Sequence, residues 1–163
     1  MKNVIGIFEA PAYEAGKPLR AADRVVFEAW NSEEAGYFDL IAPLFEDFAQ
    51  RDAGIGLHSI NVLIVFSGAD LQQAIQRINE MIGESHRRPI EWSHHLGTFK
   101  EPGQPEREVH VSLYTRRLIA VLRRLRAMFS EAHSKRYCVV FGNGVARIAL
   151  LGERLPPETE IYS

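Results

Sequence analysis

An α+β fold, with a mixed α/β arrangement as the neighbouring outcome, is what this sequence predicts, and three observations carry that expectation. Leu118, Leu122, Leu125, Phe129 and Ala132 recur at three- and four-residue steps, with Ile119, Val121 and Met128 widening the stripe. That spacing places apolar groups on one face of an α-helix. Residues 60–66 are apolar at nearly every position and rich in β-branched side chains, as a strand covered on both faces requires. Two β-prone runs, residues 137–141 and 145–151, flank Gly142, Asn143 and Gly144, which tolerate the positive φ of a tight turn. The expectation is one domain over residues 1–163: a central mixed sheet of about five or six strands, about three helices, and a C-terminal helix followed by a β-hairpin.

In chain order, residues 4–8 form a short apolar run that reads as a strand. Pro11, Gly16 and Pro18 make the next segment a loop, and residues 24–30 read as a second strand. Asn31, with Glu34 three residues on, resembles a capping arrangement ahead of the helical series Tyr37, Ile41, Leu44, Phe45 and Phe48. Pro43 lies inside that series, where it removes a backbone hydrogen bond and crowds the preceding turn, so a kink or two short helices is expected before residues 52–56 end the element. After the 60–66 strand, Ser67 and Asp70 read as a helix cap, Leu71, Ala74, Ile75, Ile78, Met81 and Ile82 as an apolar face, and Gly83 as the stop. A strand running straight into a helix favours a parallel crossover. Residues 89–93 read as a short strand and residues 94–106, with two prolines and two glycines, as a long exposed loop. Residues 109–111 add a strand before the core helix that opens near Ser112, and the acidic, proline-containing residues 152–160 read as a surface tail.

Composition narrows the function classes. With 46% hydrophobic and 25% charged residues the chain is globular in character, and its net charge of −2 speaks against a protein built mainly to neutralise phosphates. Cys138 is the single cysteine; set among apolar residues, it suits a reducing compartment as a small buried side chain. The apolar run near the N-terminus is too short for a secretory signal, and no run approaches the ~20 residues of a membrane span, so a cytoplasmic protein without a membrane partner is expected.

No phosphate-cradling loop, dinucleotide fingerprint, nucleophile elbow or H-E-x-x-H pair is present, so the reading leans away from catalysis and assigns no catalytic residue, cofactor or metal set. His94 and His95 are neighbours and would point to opposite faces of a strand, which makes them poor joint metal ligands. With His86, Arg87, Arg88 and Lys100 they form the densest cationic group outside the helices, suited to an anion or an acidic partner. Arg116, Arg117, Arg123, Arg124 and Arg126 lie off the apolar stripe of their helix, where guanidinium stems cover a solvated face. Glu28, Glu33, Glu34, Asp39, Glu46 and Asp47 give the first half the opposite sign, fit for pairing between the halves or for a charged partner. Tyr13, Trp30, Trp92, Phe99 and Tyr162 fall at strand ends, in loops or in the tail, where aromatic residues serve contact surfaces.

Three expectations of function follow, in descending order. The first is a non-enzymatic protein-binding domain, such as a bacterial immunity or antitoxin-like inhibitor or an adaptor, occluding a partner protein through Trp92, His94, His95, Phe99, Arg87, Arg88 and the tail. The second is a small enzyme or small-molecule domain whose pocket, near Ser67, Asp70 and the His94 and His95 loop, holds a small anion with Arg87 or Arg88. The third, nucleic-acid binding through the helix from Arg116 to Arg126, lacks the glycine and aromatic signature of RNA readers.

Overall fold

The computed structural model describes residues 4–28, 32–49 and 61–163. Along them run β1 (Val4–Ala10), β2 (Asp23–Glu28), α1 (Glu33–Phe48), β3 (Val62–Phe66), α2 (Ala69–Ser85), β4 (Glu91–Phe99), β5 (Arg107–Tyr114), α3 (Thr115–Lys135), β6 (Cys138–Asn143), α4 (Ala146–Leu151) and β7 (Glu160–Tyr162). The fold is α+β, with a five-stranded mixed sheet in the order β2-β1-β6-β3-β7 and a separate two-stranded ribbon of β4 and β5. Every pairing in the larger sheet is antiparallel except β3 with β7.

The continuous apolar runs are explained by cover on both faces of the sheet. Val62, Ile64 and Phe66 of β3 and Val139 and Phe141 of β6 join Ile5, Ile7 and Phe27 in a core shared with α1, α2 and α3. The alternate residues Leu63, Val65, Cys138 and Val140 enter a second, smaller cluster with Phe8, Leu19, Val145 and Ala149. Period-two side chains thus feed two cores, and among the described residues of these strands the buried polar side chains are Glu9 of β1, paired with Lys135 at 3.4 Å, and Asn143 at the end of β6. In the larger core Phe45 stacks on Phe141 at 4.4 Å, and Phe66 meets Phe129 edge-on at 5.2 Å.

Several local expectations are corrected. The run at residues 145–151 is not the second arm of a hairpin: Val145 turns back through its N–H to the Asn143 carbonyl (2.8 Å), and Ala146–Leu151 is helical. β6 is already paired on both sides, with β1 and with β3, so no edge remains for a hairpin partner. The segment from residue 94 is not an exposed loop. Residues 91–99 belong to β4, and only 100–106 connect it to β5. α1 passes unbroken through Pro43, held by Phe38, Ile41, Leu44 and Phe45, all buried on its inner face. Its cap is Ser32, whose hydroxyl accepts from the Ala35 N–H (3.1 Å), while the Glu34 carboxylate accepts from Glu28 N–H (2.7 Å). Asn31, Trp30 and the expected stop at residues 52–56 lie outside the described residues.

α2 is capped by Gly68 (φ 55°) rather than by the Ser67 side chain, and it runs past Gly83 to Ser85 because Met81, Ile82 and Ser85 are still buried. It leads out to β4 and not to a parallel neighbour. The parallel partner of β3 is β7, so the tail after residue 152 adds an edge strand to the sheet. Gly152, at φ 71°, ends α4 where a Cβ would stand 2.7 Å from the Pro18 ring nitrogen, and this lets the 11–22 segment close over the smaller core. No helix among the described residues is long and apolar enough to cross a membrane.

Candidate functional site

The β4–β5 ribbon carries most of the residues singled out from sequence, and its pleat sorts them. Trp92 opposes Leu113, His94 opposes Val111, and His95 opposes His110. Exposure alternates along both strands: Trp92, His94, Val109, Val111 and Leu113 turn inward, while Ser93, His95, Thr98, Glu108, His110 and Ser112 face solvent. Between His95 and Gly97 the register slips, leaving Leu96 as the extra residue of a β-bulge.

The inner face is tied to α1 and α3. Gly36 of α1 approaches so closely that a Cβ there would lie 3.0 Å from Leu113 and Val111 methyl groups. The Tyr114 N–H donates to the Tyr37 hydroxyl (2.9 Å), which donates to Glu33 (3.1 Å), which also accepts from Arg117 (2.5 Å). Burial, and then the Glu33 carboxylate, hold the Tyr37 hydroxyl above its ordinary pKa; the hydrogen bond to Glu33 also raises that of Arg117. His94 donates from Nε2 to the Asp39 carboxylate at 3.2 Å. The adjacent histidines therefore do point to opposite faces, and His94 serves to anchor the ribbon.

At the α2–β4 corner, Arg87 and Arg88 are exposed, and the Arg88 guanidinium sits 5.0 Å over the Trp92 ring. Trp92 packs against the larger core, and Phe99 at the far end of β4 is half-buried. None of Tyr13, Trp92, Phe99 and Tyr162 is fully exposed; the large apolar side chain left in water at this corner is Ile90, 87% exposed. Its backbone is fixed all the same, since Thr115 donates from its hydroxyl to the Pro89 carbonyl (2.5 Å) and from its N–H to the Ile90 carbonyl (3.1 Å).

Other predicted groupings are not brought together. Ser67 and Asp70 stand at the start of α2 and Arg87 and Arg88 beyond its end, and a helix of 17 residues spans about 25 Å. The cleft beside Asp70, about 210 Å³, is lined by Leu44, Asp47, Phe48, Phe66, Gln73, Ala74 and Arg77, without His94 or His95. Two carboxylates face one guanidinium there, which offers an anion no net attraction. Three arginines of α3 are engaged within the molecule: Arg117 with Glu33 (2.5 Å), Arg124 with Asp23 (2.6 Å) and Arg126 with Asn79 (2.9 Å).

Sequence reasoning missed one constellation. His95, Glu108 and His110 share the outer face of the ribbon, with one ligand atom from each lying within 4.8 Å of the others. The spacing Glu108-Val109-His110 was the available signal, because residues two apart on a strand share a face. That signal is incomplete in the sequence, because the prolines and glycines of residues 94–106 point to a loop and the register that sets His95 opposite His110 is a long-range property. Cys138, by contrast, is buried as expected; burial raises its thiol pKa, and the thiol donates to the Ala10 carbonyl. Comparison with known proteins finds no matching family model, no matching curated protein and no matching solved structure.

Proposed function

We propose that this chain is a protein-binding domain, an inhibitor or adaptor that works by occluding a partner, and that its contact surface is centred on the α2–β4 corner. The observation that carries the reading is Ile90, 87% exposed on a backbone pinned by Thr115. A rigid, water-exposed apolar side chain loses little conformational freedom on binding and gains by desolvation. Around it stand Arg87, Arg88 and the edge of Trp92, residue types that dominate interface energetics, with Glu91 as the nearest carboxylate in sequence. The surface that fits is therefore a protein patch with an apolar pocket rimmed by acidic groups.

The test is affinity capture from an extract at moderate salt, comparing the wild-type chain with the variant Ile90→Asp/Arg87→Glu, both verified as folded by circular dichroism. The expected result is a protein retained by the wild type and lost with the variant. Identical retention by both, or a copurifying small molecule with no protein, overturns the proposal.

A further inference from the structure

The outer face of the ribbon brings together three side chains that the docking surface does not use. His95 and His110 are direct cross-strand partners whose rings stand 4.8 Å apart at 46°. Glu108, two residues before His110 on the same strand face, reaches its Oε2 to 3.6 Å from the His110 Nε2. We propose that His95, Glu108 and His110 bind one divalent transition-metal ion of the zinc class.

The donor chemistry selects the ion. Two imidazole nitrogens and one carboxylate oxygen form the set that zinc accepts with a fourth position open, whereas calcium and magnesium take mainly oxygen ligands. Bond lengths of about 2.0–2.2 Å place neighbouring donors of a tetrahedral site about 3.4 Å apart. The Glu108–His110 separation of 3.6 Å is already near that value, and donors lying within 4.8 Å of one another close the rest by side-chain rotation. Such rotation meets little hindrance, since His110 is 47% and Glu108 70% exposed. The backbone beneath is ordered by the antiparallel pairing, so the ion has only side chains to organise. A water or a donor from another molecule completes the coordination. His94 takes no part, being turned inward to Asp39.

The experiment titrates Zn²⁺ alone into the full chain, free of any affinity tag, by calorimetry, with Ca²⁺ as the comparison ion and thermal unfolding as a second readout. One equivalent of Zn²⁺ is expected to bind and to raise the unfolding temperature, with no response to Ca²⁺. His95→Ala and His110→Ala are expected each to abolish the one-equivalent isotherm and the thermal shift. Glu108→Gln weakens binding at least about tenfold, and His94→Ala leaves it unchanged. The three ligand positions are exposed, so their variants fold, and circular dichroism checks each. Absence of Zn²⁺ binding overturns the proposal, as does unchanged binding in either His95→Ala or His110→Ala or binding abolished by His94→Ala.

Discussion

The five-stranded sheet and the two-stranded ribbon are built from different kinds of text. β3 and β6 are buried at every position and apolar at nearly all of them, because helices cover one face and α4 with the 11–22 segment covers the other. β4 and β5 alternate, giving one face to α1 and α3 and the other to water. A strand covered twice has little freedom to carry chemistry, since an uncompensated polar group on either face costs kilocalories, and the buried Glu9 of β1 has Lys135 at 3.4 Å as its partner. A strand covered once can hold a histidine or a carboxylate every second residue at no cost to the core. The chemistry-bearing residues of this chain accordingly gather on the ribbon and at its root.

Substitutions measure how deep that contrast runs. Phe141→Ala, at the centre of the sheet and stacked on Phe45, is expected to lower stability by about 3–5 kcal/mol, read from the urea midpoint. Leu113→Ala, fully buried on the inner face of β5, costs nearly as much if the ribbon belongs to the same cooperative unit, about 2–4 kcal/mol in one transition. Two separate transitions would show instead that the ribbon unfolds on its own. Gly152→Ala adds left-handed strain and a close approach to Pro18 at the lid of the smaller core, with an expected loss of about 2 kcal/mol; an unchanged midpoint would mean that segment contributes nothing to stability.

The smallest effect belongs to the charges joining the two halves. Arg124 donates to Asp23 at 2.6 Å, and that hydrogen bond is the main reason the Asp23 carboxyl titrates below its ordinary range. A lowered carboxylate pKa stabilises the fold above the unfolded value and loses that contribution as pH falls through the folded one. Both side chains are more than a third exposed, so solvent screening limits the pair to about 0.5 kcal/mol. Arg124→Ala is expected to lower the urea midpoint slightly at neutral pH and to match the wild type well below pH 3.8, the ordinary aspartate value. A difference that persisted in acid would assign the effect to lost packing of the arginine stem.

Much of the fold was legible because it is written in local periods. The helical stripe from Leu118 to Ala132 is buried as its spacing required, and β3 is buried throughout its length. The opposite faces of His94 and His95 follow from the pleat only once residues 91–99 form β4, which the expected loop over residues 94–106 does not supply. Gly83 does not stop α2 and Pro43 does not divide α1 into two helices, because each is a local preference of about 1–3 kcal/mol that buried neighbours override, and the cap of α2 is Gly68, one residue after Ser67. The site was less legible than the fold. Arg88 over Trp92 and the exposure of Ile90 depend on how the corner is held by Thr115, a residue 26 positions away from Pro89.

What the sequence determined by itself is the kind of element most segments form and which side chains seek a core, since both follow from the spacing of apolar residues along a few turns or strand steps. Only the tertiary structure decided partnership. It placed β6 between β1 and β3, leaving the 145–151 run no edge of β6 to join, and it set His95 against His110 through a bulged register. The physical reason is that periodicity is a property of neighbours in the chain, whereas pairing is a competition among distant segments for the same edges and the same core.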